Sequence, residues 1–567
     1  MSDLLGSLGN AVGLAGGGNG ANAAGGGLAQ PINNVLGNAF DAVGNAVAQV
    51  GPIVENVRGS LDGVLGDLGL DGPRTPFEKC IARAFGEDSS LYAFPGDLLY
   101  DLPLAESLPF LNNLESEHPY NLDYPVTPAA IVYPENAQQV RAAVVCAHKY
   151  DIAVQSRSGG HSYCNHGLGG KDGSLSIDYQ NMKSFSYNPQ DQTMTFEPGN
   201  RLGDLDRHLA PTGRVAAYGQ VSDIGSGGHF TIGGLGPLSR LLGLAADQIV
   251  SVECVLADGT ITTASNRQNP DLFFAIKGAA WSFATITSFQ VATSAPPTSV
   301  ISFQYNITFG QIADLAETFI QWQDLISQPH LTRKFASTLT LAQDLVVYSG
   351  TFFGDRPDFN RLNLEAILPF GQEHLGITIV SSVVTHAITD LINFGYDIFS
   401  SAPAHFYTKS LKYTRQTLLS PSAVQQLFEY LDSIDKGTLI WFIVWDLGAG
   451  AIADVPQAAT AYWHRDALYF QQAYVVNPIG PVTRQSHEFL TGLTEETQRL
   501  APSIDDSAYP GYVDAELKDP LTAYWGGNVE RLVQIKGEYD PDDVFRNPQS
   551  IPSPFKRGGQ RRSIDRA

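Results

Sequence analysis

SRSGGHSY, residues 156–163, decides the reading of this chain. Gly159 and Gly160 free the backbone N–H groups to face an anion with no Cβ in the way, and Arg157, Ser158 and Ser162 add donors. That suits a pyrophosphate. A second glycine cluster, IGSGGHFTIGGLGPLSR, spans 224–240 with Gly225, Gly227, Gly228, Gly233, Gly234 and Gly236. Such irregular spacing predicts neither helix nor strand but a chain that wraps a flat, bulky ligand. Either cluster alone could be a plain turn; two in one region argue for binding. Neither follows the strand–GxGxxG–helix pattern, so no Rossmann domain is expected.

The 567 residues leave room for several domains, and 43% hydrophobic and 10% aromatic content predicts a mostly globular chain. A formal net charge of −23 opposes binding to nucleic acid or anionic membrane. No apolar run reaches the roughly 18 residues of a membrane span. MSDLLGSLGNAVG lacks a basic n-region and a solid apolar core, so an ordinary signal peptide is not visible. Secretion is the expected localisation, with an intracellular one as the alternative. Four cysteines are too few for a disulfide scaffold. Cys80 and Cys146 could pair, which by loop closure would stabilise the fold by about 4 kcal/mol, or could be two buried thiols. Cys254, in IVSVECVL, reads as a core thiol, and Asn306-Ile-Thr is a lone glycosylation sequon. No metal site is expected.

Residues 1–75 differ from the rest. GLAGGGNGANAAGGGLAQ is low-complexity, and Val35, Leu36, Phe40, Val43 and Val47 follow at helical spacing. From about 124 the texture is α/β: PAAIVYP, SLSIDY, TMTFEPG, ADQIVSVECVLADG and TITTAS read as strands. NAQQVRAAVVCAHKY reads as a helix with Val140, Val144 and Val145 on one face. Beyond 297, ISFQYNITF and FASTLTLAQDLVVYSGTFFG read as strands around a helix through QIADLAETFIQWQDLI.

SRSGGHSY, GGHFTIGGLGPLSR, VECVLADG, NPDLFFAIKG and YDPDDVFRNPQSI together resemble the berberine-bridge-enzyme-like flavoproteins of the vanillyl-alcohol-oxidase superfamily, and among them the fungal oligosaccharide oxidases. The resemblance implies an α+β fold: an FAD-binding domain of the vanillyl-alcohol-oxidase (PCMH) type, 76–296, and a substrate domain with an antiparallel sheet and helices, 297–500. A C-terminal segment, 501–555, would complete the FAD domain ahead of a basic tail, 556–567. It implies FAD as cofactor, bonded covalently through His161. Arg157, Ser158, Gly159, Gly160, Ser162, Ile224, Gly225, Gly228, His229, Gly233, Gly234 and Asn547 would line it. Val221 stands where many relatives carry a second attachment cysteine, so a single link is expected. Trp281 and Ala284 replace smaller residues and would crowd the flavin edge.

Removing hydride from a carbon requires that the adjacent hydroxyl proton also leave, hence a base. The resemblance puts that base at Tyr512, acting with a lowered pKa or by proton relay, and its helper at Asp446. Asp446 is notable in itself, because a carboxylate among Ile440, Phe442 and Val444 is costly unless paired. Tyr163 and Tyr509 would contact substrate. Gly511 departs from the family's Asn and removes a carboxamide from the pocket. His464-Arg465-Asp466 reads as structural.

The expected function is oxidation of the reducing-end (C1) hydroxyl of an oligosaccharide to a lactone. The alternatives are an oxidase or oxidative cyclase of a secondary metabolite, and a non-catalytic flavin-binding interaction protein. The expected partners are a small carbohydrate and an electron acceptor, with the chain a monomer. In the family it resembles, a valine at the position of Ile224 goes with oxidases, so the resemblance favours a quinone, dye or metalloprotein acceptor over oxygen.

Overall fold

Asn136 opens the helix Ala137–Lys149: its side-chain oxygen accepts from the N–H groups of Gln138 and Gln139. Val140 and Val144 are buried on it, whereas Val145 is 43% exposed. Each residue advances about 100° round a helix of 3.6 residues per turn, so Val145 leaves the face that Val140 and Val144 share. Cys146, on this helix, forms a disulfide with Cys80 on the helix Pro76–Ala84. The computed structural model describes residues 75–86, 88–94, 119–342, 345–364, 372–380, 403–477 and 480–555. The helices expected before residue 75 and the tail 556–567 lie outside them.

Three sheets organise the described residues. In the first, β1 (Tyr92–Ala93), β2 (Ala130–Val132), β3 (Val154–Arg157) and β4 (Leu175–Asp178) lie in the order β1-β2-β4-β3. The last three run parallel, and β2 and β4 are buried throughout, as parallel strands covered on both faces must be. The second is antiparallel: β5 (Phe185–Asn188), β6 (Thr193–Phe196), β7 (Ile249–Val255), β8 (Ile261–Ser265) and β9 (Thr285–Ala292), ordered β5-β6-β9-β7-β8.

The third sheet is also antiparallel. It contains β10 (Val300–Thr308), β11 (Phe335–Ala342), β12 (Leu345–Phe352), β13 (Gln372–Val380), β14 (His405–Tyr413), β15 (Ile440–Leu447) and β16 (Tyr469–Asn477). Their order is β13-β10-β12-β11-β15-β16-β14. Strand side chains alternate between faces. On β15, Trp441, Ile443 and Trp445 enter a core with Phe319 and Trp322 of the helix Ala316–Ser327 and Phe428 of the helix Pro421–Ser433. Phe442, Val444 and Asp446 take the opposite face, toward a cavity.

The end of the chain returns to the first two sheets. Leu532 and Ile535 of the helix Val529–Tyr539 join the core of the second sheet, and Val544 and Phe545 that of the first. Lys536 fastens this segment: its ammonium, 0% exposed, meets Asp540 at 2.7 Å and donates to the carbonyls of Ser282 (2.7 Å) and Phe545 (2.8 Å). Lys536→Met would strand the buried Asp540 carboxylate. We expect a loss of about 3–5 kcal/mol in denaturant unfolding, the cost of removing one partner of a buried pair. An unchanged midpoint would mean that Lys536 does not hold the segment. Among the described residues no helix is long and apolar enough to cross a membrane, and no side-chain group could hold a metal ion.

Candidate active site

A cavity of about 470 Å³ lies between the two glycine loops and the inner face of the third sheet, within the range of about 300–1,000 Å³ usual for small-molecule sites. β3 feeds the 158–163 loop into its wall. The glycines there do different jobs. A Cβ on Gly159 would stand 2.2 Å from the Gly225 nitrogen, and one on Gly225 2.0 Å from the Gly159 nitrogen, so this pair is demanded by loop-on-loop contact. Gly160 takes a left-handed turn at φ +77°, with the Arg157 guanidinium across the space a Cβ would need. Gly228 lines the cavity with nothing within 4 Å of its Cβ position, which leaves that room to a ligand.

Arg157, Ser158, Gly159, Gly160, His161, Ser162, Ile224, Gly225, Gly228 and His229 all line the cavity, as do Val221, Trp281 and Ala284. Gly233, Gly234 and Asn547 do not, contrary to expectation. Gly233 (φ +121°) passes the Tyr462 ring, where a Cβ would stand 2.7 Å away, and Gly234 (φ +79°) passes Ala245. Asn547 stands behind the wall, donating from Nδ2 to Gln155 Oε1 at 3.2 Å. Residues 226–231 also wind into a short helix, Ser226–Thr231, where the glycine spacing predicted none. Tertiary bonds hold it: the Ser226 N–H donates to the Asn200 carbonyl (3.0 Å) and the Gly227 N–H to Ser158 Oγ (3.2 Å).

The polar groups of the wall are largely committed to one another. Arg157 pairs with Asp178 at 2.7 Å, and Arg201 donates to the Gly159 carbonyl at 2.8 Å. The Gly219 N–H donates to His229 Nε2 at 2.8 Å, which puts the His229 proton on Nδ1. Burial, then the nearby Arg201 and Arg157 cations, pushes His161 down to about 3. Its imidazole is therefore neutral near pH 7 and keeps a lone pair on one ring nitrogen. Cys164, buried near it in sequence, is not among the lining residues.

Tyr512 and Asp446 meet at the other wall. The Tyr512 hydroxyl donates to Asp446 Oδ2 at 2.8 Å, and Thr338 Oγ1 donates to Oδ1 at 3.1 Å. Burial pushes the Asp446 carboxyl up against the pull of these two bonds. Tyr512 is raised well above the ordinary tyrosine range, by burial first and then by Asp446. Burial and the Asp446 carboxylate thus both oppose a lowered tyrosine pKa in this arrangement. Gly511 is also more than a missing carboxamide. A Cβ there would stand 2.3 Å from Tyr509 Cε1, so the tyrosine ring occupies the room an Asn would need. The Tyr509 hydroxyl accepts from the Gly234 N–H at 3.0 Å. The Tyr163 hydroxyl accepts from Gln472 Nε2 at 2.7 Å and also meets the Tyr474 hydroxyl.

Sequence reasoning missed Thr338, Gln472, Tyr474, Phe406 and Tyr120, all lining the cavity. Gln472 and Tyr474 alternate along YFQQAYVVN, a weak signal of one strand face; the others carry none. Arg465 forms a two-pronged pair with Asp247 (2.8 and 2.7 Å) away from the cavity, a structural role as expected.

Sheets, glycine loops and cavity define a protein built to hold a flat cofactor beside a buried tyrosine–carboxylate pair. The family model described as FAD binding domain matches residues 128–265, and the one described as Berberine and berberine like matches 508–552. "FAD-linked oxidoreductase sorD" of Penicillium rubens is 36% identical, covering 84% of this chain and 98% of its own. Xylooligosaccharide oxidase of Thermothelomyces thermophilus is 30% identical over 76% and 89%. A solved structure of glucooligosaccharide oxidase from Acremonium strictum, whose FAD is 6-S-cysteinyl, 8α-N1-histidyl, has a TM-score of 0.71 at 27% identity, over 84% of this chain and 99% of that one. The chain belongs to the berberine-bridge-enzyme-like FAD-linked oxidoreductases. It is an enzyme, and FAD is its cofactor. The residues fit that group: the open Gly228 edge, the cavity between the loops and the neutral His161 imidazole together admit and face a flat ring system.

Proposed function

We propose that this enzyme oxidises a hydroxyl-bearing carbon of a small molecule, with Tyr512 and Asp446 taking the hydroxyl proton. The 2.8 Å bond between them carries the reading, because a flavin binder without chemistry has no use for a buried tyrosine–carboxylate pair. FAD supplies the hydride acceptor. The substrate hydroxyl gives its proton to the Tyr512 oxygen as Tyr512 passes its own to Asp446 Oδ2, so no free tyrosinate forms in the buried site. Thr338 holds the other carboxylate oxygen and keeps Oδ2 aimed at Tyr512. The C–H electron pair leaves with the hydride, and C–OH becomes C=O.

For the substrate we take the reducing-end hydroxyl of an oligosaccharide, oxidised to a lactone. Relatives named xylo-, gluco- and chitooligosaccharide oxidase, 29–30% identical, support this. A less polar metabolite is the second reading, favoured by the wall itself. Phe406, Phe442, Val444 and Val476 line it, and the polar groups of Tyr163, Gln472 and Tyr474 bond one another. Each sugar hydroxyl buried there without a partner would cost about 1–3 kcal/mol. Anaerobic flavin bleaching with xylo-, gluco- and chitooligosaccharides, beside a panel of apolar alcohols, decides. Bleaching by apolar alcohols alone moves the assignment to the second reading, and bleaching by neither class removes both.

The same reading has FAD attached through His161 alone, since Val221 offers no sulfur, and electrons passed to an acceptor other than oxygen. Ile224 lines the cavity, and in a close-packed wall one methylene can fill a space sized for O₂. Ile224→Val should speed reoxidation of the reduced enzyme in air-saturated buffer. Fast reoxidation of the wild type, or no gain in the variant, would remove the gate. Secretion fits the Cys80–Cys146 disulfide, because such bonds persist in oxidising compartments.

A further inference from the structure

We propose that Tyr120 is a positioning residue for attachment of the flavin to His161, held there by a strap of residues 119–124. The Tyr120 ring lies 4.8 Å from the His161 ring, tilted 34°, and 5.5 Å edge-on from Phe406. It therefore sits between the attachment histidine and the substrate wall, and it lines the cavity.

The strap is firmly built. The Tyr120 N–H donates to Asn165 Oδ1 at 2.8 Å, and its carbonyl accepts from the Ala404 N–H at 3.1 Å. Asn121, 1% exposed, donates from Nδ2 to the carbonyls of Tyr163 and Phe406, both at 2.9 Å. Asn165 Nδ2 returns bonds to the carbonyls of Asn121 and Tyr124, both at 2.8 Å. Asp123 meets His405 at 2.6 Å and caps the Val482 N–H at 3.0 Å. One short segment thus ties the loop that carries His161 to the third sheet, and its fixed backbone leaves the Tyr120 ring little freedom.

Attachment exchanges an 8α methyl C–H and an imidazole N–H for a C–N bond. Both hydrogens and the electron pair go to the flavin ring, which the electron acceptor then reoxidises. The step needs the imidazole lone pair aimed at one carbon. A ring packed against the imidazole removes the rotamers that aim elsewhere, and misplacing a reacting atom by about 1 Å can cost about 10²-fold.

The test is covalent incorporation of FAD added to apoprotein, followed as acid-stable flavin, for wild type, Tyr120→Phe and Tyr120→Leu. Tyr120→Phe keeps the ring and should attach flavin at close to the wild-type rate. Tyr120→Leu should bind FAD but attach it about 10- to 100-fold more slowly. If Tyr120→Leu does not fold, Tyr120→Met, which keeps the bulk without the ring, should show the same loss. Full-rate attachment in the Leu or Met variant, or equal loss in Tyr120→Phe, would overturn the proposal. It rests on the His161 linkage: wild-type enzyme that releases all its flavin in acid removes that reading first, whereas wild-type-like Tyr120→Leu removes only this one.

Discussion

Tyr512→Phe should slow substrate reduction of the flavin by about 10²–10⁴-fold, the usual worth of general-base catalysis, with FAD content unchanged. The phenol ring packs edge-on against Tyr509 at 4.9 Å, and phenylalanine keeps that contact. What disappears is the hydroxyl that donates to Asp446 Oδ2 and that the proposed mechanism sets against the substrate. The pH dependence has a definite sign. On the proposed relay Asp446 must be a carboxylate to accept the proton, and burial raises its pKa. The reduction rate should therefore fall on the acid side, as pH drops through that raised value. The Tyr512 bond lowers the Asp446 pKa, so in Tyr512→Phe the residual acid limb should move to higher pH. Asp446→Asn should share the rate loss and abolish the limb. Stopped-flow reduction across pH reads all of this; a Tyr512→Phe enzyme that reduces its flavin at near wild-type rate would take Tyr512 out of the mechanism.

His161→Ala should convert a protein that stays yellow after acid precipitation into one that releases its flavin completely. The wild-type linkage should map to His161 and to no cysteine, because Val221, which lines the cavity, offers no sulfur. The imidazole is suited to the bond. Held down to about 3, it is neutral through the physiological range. Attachment to apoprotein should accordingly show no acid limb from His161 between about pH 5 and 8, where an ordinary histidine would titrate near 6.5. Flavin found on a cysteine peptide, or acid-stable flavin in His161→Ala, would refute the assignment.

Much of the site was legible in the chain because its chemistry is local. SRSGGHSY names the loop, and Asp446 stands out as a carboxylate in an apolar strand. The Tyr509–Tyr512 pair lies within four residues, close enough for one turn to present both rings. The helix Ala137–Lys149 was legible from its Asn136 cap and the spacing of Val140 and Val144, and only Val145, one step beyond, fell on the wrong side.

From the chain alone the two glycine loops were legible by residue type and short spacing, and the motifs they belong to carried the resemblance that implies FAD and points to Tyr512 and Asp446. The tertiary structure decided which glycines face the cavity. Gly228 opens on the cavity, Gly159 and Gly225 touch each other, and Gly233 and Gly234 serve a turn packed on Tyr462 and Ala245. It also set the direction of the Tyr512 pKa, because a tyrosine's pKa follows burial and neighbours that only the fold supplies. Thr338 reaches Asp446, 108 residues away, only through the register that pairs β11 with β15. Register is set by long-range pairing, and a slip of one residue would turn Thr338 to the opposite face.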